Sequence, residues 1–123
     1  MTLDQIHRLN GKFQNKTAQI SELMPGGNLV EFASVLIRNS RRMDTVFTKM
    51  LAVQTQSGLG RAMNRMEEEM DEIIFMLDQM DLANKKRNIK LITDLVKEGY
   101  ELLSIYSICC DQLLEKRLKR EEQ

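Results

Sequence analysis

The sequence of 123 residues has no tryptophan, one proline and 5% aromatic residues. Sandwiches and barrels of β-strands need many turns and strand-forming aromatic side chains, so this composition disfavours an all-β fold. A chain of this length is expected to form one domain that buries about two-thirds of the surface exposed by its unfolded state. The composition therefore favours long helices around a single core.

An excess of charge is also missing, because 18 basic residues balance 18 acidic ones. A net charge of zero provides no overall field toward nucleic acid or a membrane. The single histidine, His7, cannot build a histidine-based metal site. Cys109 and Cys110 are adjacent on a predicted helix, where their side chains diverge by about 100°, so we expect reduced core residues rather than a disulfide. We expect neither a metal nor a cofactor.

Signals for export or membrane insertion are weak. Residues 1–5 are polar and acidic and lack the basic and apolar regions of a secretory signal. Uncharged stretches such as residues 102–110 run to about nine residues, roughly half of what a membrane-spanning helix needs. The sequence therefore predicts a cytoplasmic protein that has no membrane partner.

Apolar residues recur at spacings of three and four along four segments, a pattern typical of amphipathic helices. Capping boxes begin two of these helices, one at Thr2 with Gln5 and one at Asn28 with Glu31. The segment Pro25-Gly26-Gly27-Asn28 predicts a sharp turn, because proline disfavours helical geometry in the preceding residue and glycine permits left-handed backbone.

Two further breaks separate the remaining helices. The polar run at residues 54–58 marks one break, and we place the other at residues 84–88. The latter segment has neither glycine nor proline, but asparagine tolerates left-handed backbone and caps helices. The predicted helices span residues 2–24, 28–54, 59–83 and 89–118.

These lengths correspond to roughly 35 to 45 Å at the helical rise of 1.5 Å per residue, so the four helices match one another. Short connections make neighbouring helices antiparallel. The sequence therefore predicts an all-α fold, an up-down-up-down antiparallel four-helix bundle. We expect a single domain at residues 1–118, followed by a frayed charged tail at residues 119–123.

The clearest pattern is a heptad seam in the third helix, rich in methionine. Methionine fills irregular gaps in a core, and it also suits surfaces that re-pack against a partner. Because the first helix has Gly11 and Lys16 in its apolar stripe, we expect its displacement to expose the seam. The seam comprises Leu59, Met63, Met66, Met70, Ile73, Leu77 and Met80, and the residues predicted to contact a partner or a second copy are Met63, Met66, Met70, Ile73 and Leu77.

Charged residues form local clusters although the net charge of the chain is zero. Antiparallel pairing about Gln56 and Ser57 places Arg41 and Arg42 of the second helix beside acidic residues of the third, which predicts salt bridges that set the register. An acidic partner is the other interpretation of the arginines. A basic corner, defined as Lys85, Lys86, Arg87 and Lys90, suits a solvated loop, a partner's acidic patch or nucleic-acid phosphates. The clusters on the second and third helices are Arg38, Arg41 and Arg42, and Glu67, Glu68, Glu69, Asp71 and Glu72.

Two short patterns resemble known sites. Glu69 with Glu72 and Glu98 with Glu101 resemble the Glu-x-x-Glu pairs that hold magnesium in all-α nucleotide pyrophosphatases, although Glu98 and Glu101 lie on the predicted solvent stripe. His7-Arg8-Leu9-Asn10-Gly11 resembles the histidine motif of phosphotransfer four-helix domains. That resemblance implies a phosphoacceptor histidine, whereas the simpler interpretation is a surface histidine beside a helix-weakening glycine.

The function predicted from the sequence is non-enzymatic. We expect a helical bundle that acts by protein–protein interaction, as an adaptor, assembly factor or secretion-type chaperone, and that self-associates as a homo-oligomer. The alternative is a nucleic-acid-associated accessory protein that uses residues 38–42 and 85–90. A magnesium-dependent all-α nucleotide pyrophosphatase ranks third.

Overall fold

The computed structural model describes residues 1–23 and 28–122. These residues form four helices, namely α1 (Leu3–Leu23), α2 (Asn28–Ala52), α3 (Gln56–Asn84) and α4 (Lys90–Glu122). Each helix packs against the next, and α1 also packs against α4. This arrangement confirms the predicted antiparallel four-helix bundle.

Hydrogen bonds at the helix starts confirm one predicted boundary and correct another. The Thr2 backbone N–H donates to Gln5 Oε1 at 2.8 Å, and the Gln5 N–H donates to Thr2 Oγ1 at 3.2 Å, which completes the first capping box. Thr55 caps α3, because its hydroxyl accepts a hydrogen bond from the Gly58 N–H at 3.1 Å, so α3 begins at Gln56 and the start predicted at Leu59 is too late. The chain turns between α2 and α3 at residues 53–55.

Other boundaries differ from the prediction or fall outside the description. The turn predicted at Pro25-Gly26-Gly27 lies outside the described residues, whereas α2 begins at Asn28 as expected. The α4 helix continues to Glu122, so the end predicted at Leu118 is too early. Fraying of residues 119–123 stays a prediction.

The turn between α3 and α4 is confirmed at residues 84–88. Asn84, the last residue of α3, is buried and donates to the Ile89 carbonyl at 3.1 Å and to Thr93 Oγ1 at 2.9 Å. Its own Oδ1 accepts from the Ile89 N–H at 2.8 Å. Asn88 has a φ of 51°, in the left-handed region that asparagine tolerates better than most residues. Side-chain hydrogen bonding thus turns the chain where the sequence has no glycine or proline.

The methionine seam lies in the bundle's own core. Met66, Ile73 and Leu77 are at most 2% exposed, and Met63 and Met70 are partly buried against the core. The structure therefore places the seam in a soft core formed within one chain. Contact of these five residues with a partner stays a prediction, and for Met66, Ile73 and Leu77 it would require the bundle to open.

The position of α1 agrees with the predicted topology. It packs against α2 and α4, and among the described residues no Cα atom of α1 lies within 8 Å of a Cα atom of α3. The two helices are thus diagonally opposite. The buried seam residues share one core with Ile6, Phe13 and Ile20 of α1. Exposure of the seam when α1 is displaced stays a prediction.

A glycine lets α3 and α4 approach closely. A Cβ atom added at Gly99 would lie 2.7 Å from Leu77 Cδ2 and 2.8 Å from Leu77 Cδ1, inside van der Waals contact. Leu77 is fully buried, so its methyl groups have little room to move. Gly99 is therefore a packing requirement of the α3–α4 interface. No helix in the described ranges has an apolar stretch long enough to cross a bilayer.

Candidate functional site

A polar cluster lies where α1, α2 and α4 meet, centred on Asp44. The Tyr106 hydroxyl donates to Asp44 Oδ1 at 2.6 Å, and His7 Nδ1 lies 2.5 Å from Asp44 Oδ2. Tyr106 is fully buried, and its ring meets the Phe47 ring edge-on with centroids 5.3 Å apart. Burial and the hydrogen bond to Asp44 raise the pKa of Tyr106, which keeps the hydroxyl a donor.

The same network continues along α1. Asn10 is 1% exposed, and its Nδ2 donates to the Tyr106 hydroxyl at 3.0 Å and to the Ser40 carbonyl at 3.1 Å. Gln14 Nε2 donates to Asn10 Oδ1 at 2.6 Å, and Arg41 Nε donates to Gln14 Oε1 at 3.1 Å. The satisfied buried groups fix how α1 sits on α2 and α4. His7 keeps a third of its side chain exposed at the edge of this network, and its phosphoacceptor role stays a prediction.

Sequence reasoning missed this network, although a signal for it exists. The buried residues of α1 recur at spacings of 4, 3, 4 and 3, and two of them, Asn10 and Thr17, are polar. A heptad seam with polar residues at core positions indicates buried hydrogen bonding. The apolar residue next to Asn10, Leu9, is only partly buried. The buried residues of α1 are Ile6, Asn10, Phe13, Thr17 and Ile20.

The predicted salt bridges between α2 and α3 do not form. Within the described ranges, the ion pairs closer than 4 Å are His7 with Asp44 and Lys16 with Glu98. Arg41 points to Gln14 on α1 instead. The physical reason is register: the chain turns at residues 53–55, before the assumed centre at Gln56 and Ser57. Each α2 residue therefore faces an earlier α3 position than expected.

Asn39 takes the position opposite Glu72 that an arginine was predicted to hold. It is fully buried and its Nδ2 donates to Glu72 Oε2 at 2.6 Å. Glu69 lies one turn away, where burial and the nearby Glu72 raise its pKa while Arg42 and Arg65 oppose that rise. Glu69 Oε2 and Asn39 Oδ1 are buried, and neither has a hydrogen-bond partner among the residues described.

The outer surface of α3 forms an acidic face, defined as the exposed part of residues 67–82. Between Met66 and Asn84 the helix has seven carboxylates and no basic residue. Phe75 and Leu82, seven residues apart and so on one stripe, are 57% and 59% exposed. Beside Phe75, a groove of about 500 Å³ between α2 and α3 is lined by Val35, Arg38, Asp71, Glu72, Phe75 and Met76.

The basic corner is fully at the surface. Lys85, Lys86, Arg87 and Lys90 are all exposed, and across residues 1–23 and 28–122 no carboxylate lies within 4 Å of their charged groups. Arg38 and Arg42 are also exposed and have no such ion pair. The structure thus places the arginines of α2 and the basic corner at separate locations.

The two glutamate pairs that resemble a magnesium site lie at different interfaces. Glu69 and Glu72 face α2, whereas Glu98 pairs with Lys16 of α1. In the described part of the chain, no group of three or more His, Cys, Asp or Glu side chains is placed to hold a metal ion. The four carboxylates therefore do not converge as metal ligands would.

Comparison of the chain with protein-family models, curated proteins and solved structures gave no match.

Proposed function

We propose that this protein is a non-enzymatic binding protein whose acidic face on α3 receives a basic amphipathic helix of a partner protein. The observation that carries the proposal is Phe75, a large aromatic side chain that stays 57% exposed on a helix segment with carboxylates as its only charged groups. Binding of this kind suits a small adaptor, assembly factor or chaperone.

The chemistry of the face specifies the partner. Aromatic side chains beside a groove are the usual anchors of protein interfaces, and Phe75 and Leu82 offer two apolar contacts one heptad apart. A partner helix would match them with apolar residues at the same spacing. Lysine or arginine flanking those residues would meet Asp71 and Asp78, and complementary charge speeds encounter and sets orientation.

A cytoplasmic location is part of the proposal. Cys109 and Cys110 are free thiols. Free cysteines are common in proteins of reducing compartments, whereas exported proteins of this size tend to pair them.

The test uses a synthetic helical peptide of leucine and lysine in heptads, labelled for fluorescence anisotropy. We expect Phe75→Ala to weaken peptide binding by about tenfold, because an anchor residue contributes most of the contact energy. Leu118→Ala is the matched control, since Leu118 is similarly exposed at 59% but lies on α4. Equal affinities for wild type and Phe75→Ala would overturn the proposal.

A second candidate function is phosphate-backbone binding at the basic corner, favoured by four exposed cations in six residues that have no ion pair among the described residues. We expect RNA or DNA duplexes to bind with an affinity that falls steeply with salt concentration. The double variant Lys85→Gln with Lys86→Gln should reduce the slope of log affinity against log salt concentration. Lys49→Gln, at the opposite end of the bundle, is the control. An unchanged slope in the double variant would exclude this site.

A further inference from the structure

The groove between α1 and α4 has opposite charges on its two walls. It encloses about 480 Å³, and α1 contributes Lys12 and Lys16 while α4 contributes Glu98 and Glu101. Lys16 pairs with Glu98 across the groove. Lys12 and Glu101 are exposed and form no ion pair among the residues that the structure describes.

The charges also match in height along the bundle. Starting from the Lys16–Glu98 pair, Lys12 lies about 6 Å along α1, and Glu101 lies about 4.5 Å along the antiparallel α4 in the same direction. Continuing along the groove, Leu9 and Ile105 both lie about 10.5 Å from the pair. At each of these three heights, the two walls therefore have either opposite charges or two apolar residues.

This pattern is self-complementary about one particular two-fold axis. An axis parallel to the helices places α1 of one copy over α4 of the other and keeps every level at its own height. Lys12 then meets Glu101, and Leu9 meets Ile105, twice in each dimer. An axis perpendicular to the helices would place α1 over α1 instead, which brings cations against cations.

We propose that the α1–α4 groove is the interface of a two-fold symmetric homodimer. Ile108 supports this choice of occupant: it is 55% exposed and lies two turns beyond Glu101 on the same stripe of α4, where a second copy would cover it. The proposal goes beyond the function proposed above, because it concerns a second copy of this chain. It uses a different surface from the acidic face of α3.

A charge exchange tests the interface by sedimentation equilibrium. We expect Lys12→Glu and Glu101→Lys each to raise the dimer dissociation constant by about tenfold or more, because each change places like charges together twice. The double variant Lys12→Glu with Glu101→Lys restores opposite charges and should recover dimerisation. Asp111→Lys, an exposed charge reversal on another side of α4, is the control.

Two results would overturn the inference. One is a wild-type protein that stays monomeric at millimolar concentration, and the other is a double variant no better than the single variants. Neither result bears on peptide binding at Phe75, so the dimer and the proposed function fail separately. Circular dichroism of each variant checks that the bundle remains folded.

Discussion

Buried polar side chains are the least expected residues of this bundle. Asn10, Asn39 and Asn84 are each at most 4% exposed, and each donates hydrogen bonds to a neighbouring helix or to the turn beside it. Methionine packs adaptably and specifies geometry weakly. Amide groups with fixed partners compensate for this, because a shift of one helix would leave them unpaired and cost about 1–3 kcal/mol each.

Tyr106 allows a direct test of the Asp44 network. Tyr106→Phe removes the hydroxyl that donates to Asp44 and accepts from Asn10, so we expect a loss of about 1–3 kcal/mol in the free energy of unfolding. Urea denaturation measures it. The matched control is Tyr100→Phe, since the Tyr100 hydroxyl also donates to a carboxylate, Asp78, but near the surface. A loss of about 0.5 kcal/mol or less is expected there, and equal losses would show that the network adds nothing.

Glu69 predicts a pH dependence of stability. Burial and Glu72 raise its pKa in the folded state, so between the unfolded and folded pKa values the folded protein binds more protons. The contribution of Glu69 to stability is therefore present at acidic pH and is lost as pH rises through the folded pKa. We expect Glu69→Gln to gain stability relative to wild type between pH 4 and pH 7, measured by urea denaturation.

The control for Glu69 is Glu67→Gln, which changes an exposed carboxylate on the same helix. A stability difference between Glu69→Gln and wild type that stays constant with pH would contradict the prediction. An equal pH-dependent gain in stability for Glu67→Gln would also contradict it.

At the scale of the helix, the number of helices and their alternating directions follow from the pattern of apolar residues and the short breaks between them. Spacings of three and four, two capping motifs and short polar breaks predicted all four elements, since these signals are local. The end of α4 was misplaced because residues 119–122 continue a helix that begins in the core. Helix ends depend on contacts with other elements as well as on local sequence.

Two glycine-to-alanine substitutions test how closely the helices pack. Gly99→Ala adds a methyl group against fully buried Leu77, so we expect a loss of about 1 kcal/mol despite the better helix propensity of alanine. Gly11→Ala is the matched change in α1, where no described atom beyond the neighbouring helix backbone lies within 4 Å of the added Cβ. There we expect a gain of about 0.5–1 kcal/mol. Thermal or urea denaturation compares the two, and a gain at both positions would contradict the close α3–α4 approach.

For the whole molecule, the sequence predicted the architecture but not the positions of helices relative to each other. A displacement of two residues in the α2–α3 register is enough to replace the expected Arg41 and Arg42 salt bridges by the Asn39–Glu72 hydrogen bond. Register depends on the loop's centre and on the packing of all four helices together. Residue spacing within one helix does not contain that information.

Local stability should differ among the four helices. Two of the five buried residues of α1 are polar, so among the described residues α1 has the fewest buried apolar side chains for its length. We expect its amides to exchange with deuterium faster than those in the middle of α3. Mass spectrometry of peptic fragments measures this, and equal protection of α1 and α3 would contradict it.

The methionine core has a chemical consequence. Met43, Met50, Met66 and Met80 are at most 2% exposed, whereas Met63, Met70 and Met76 are only partly buried. Peroxide converts accessible methionine to its sulfoxide, a polar group that an apolar core cannot accommodate. The partly buried methionines should be oxidised first, and the fully buried ones only when the bundle opens. The rate at which the fully buried methionines form sulfoxide therefore measures how often the bundle opens.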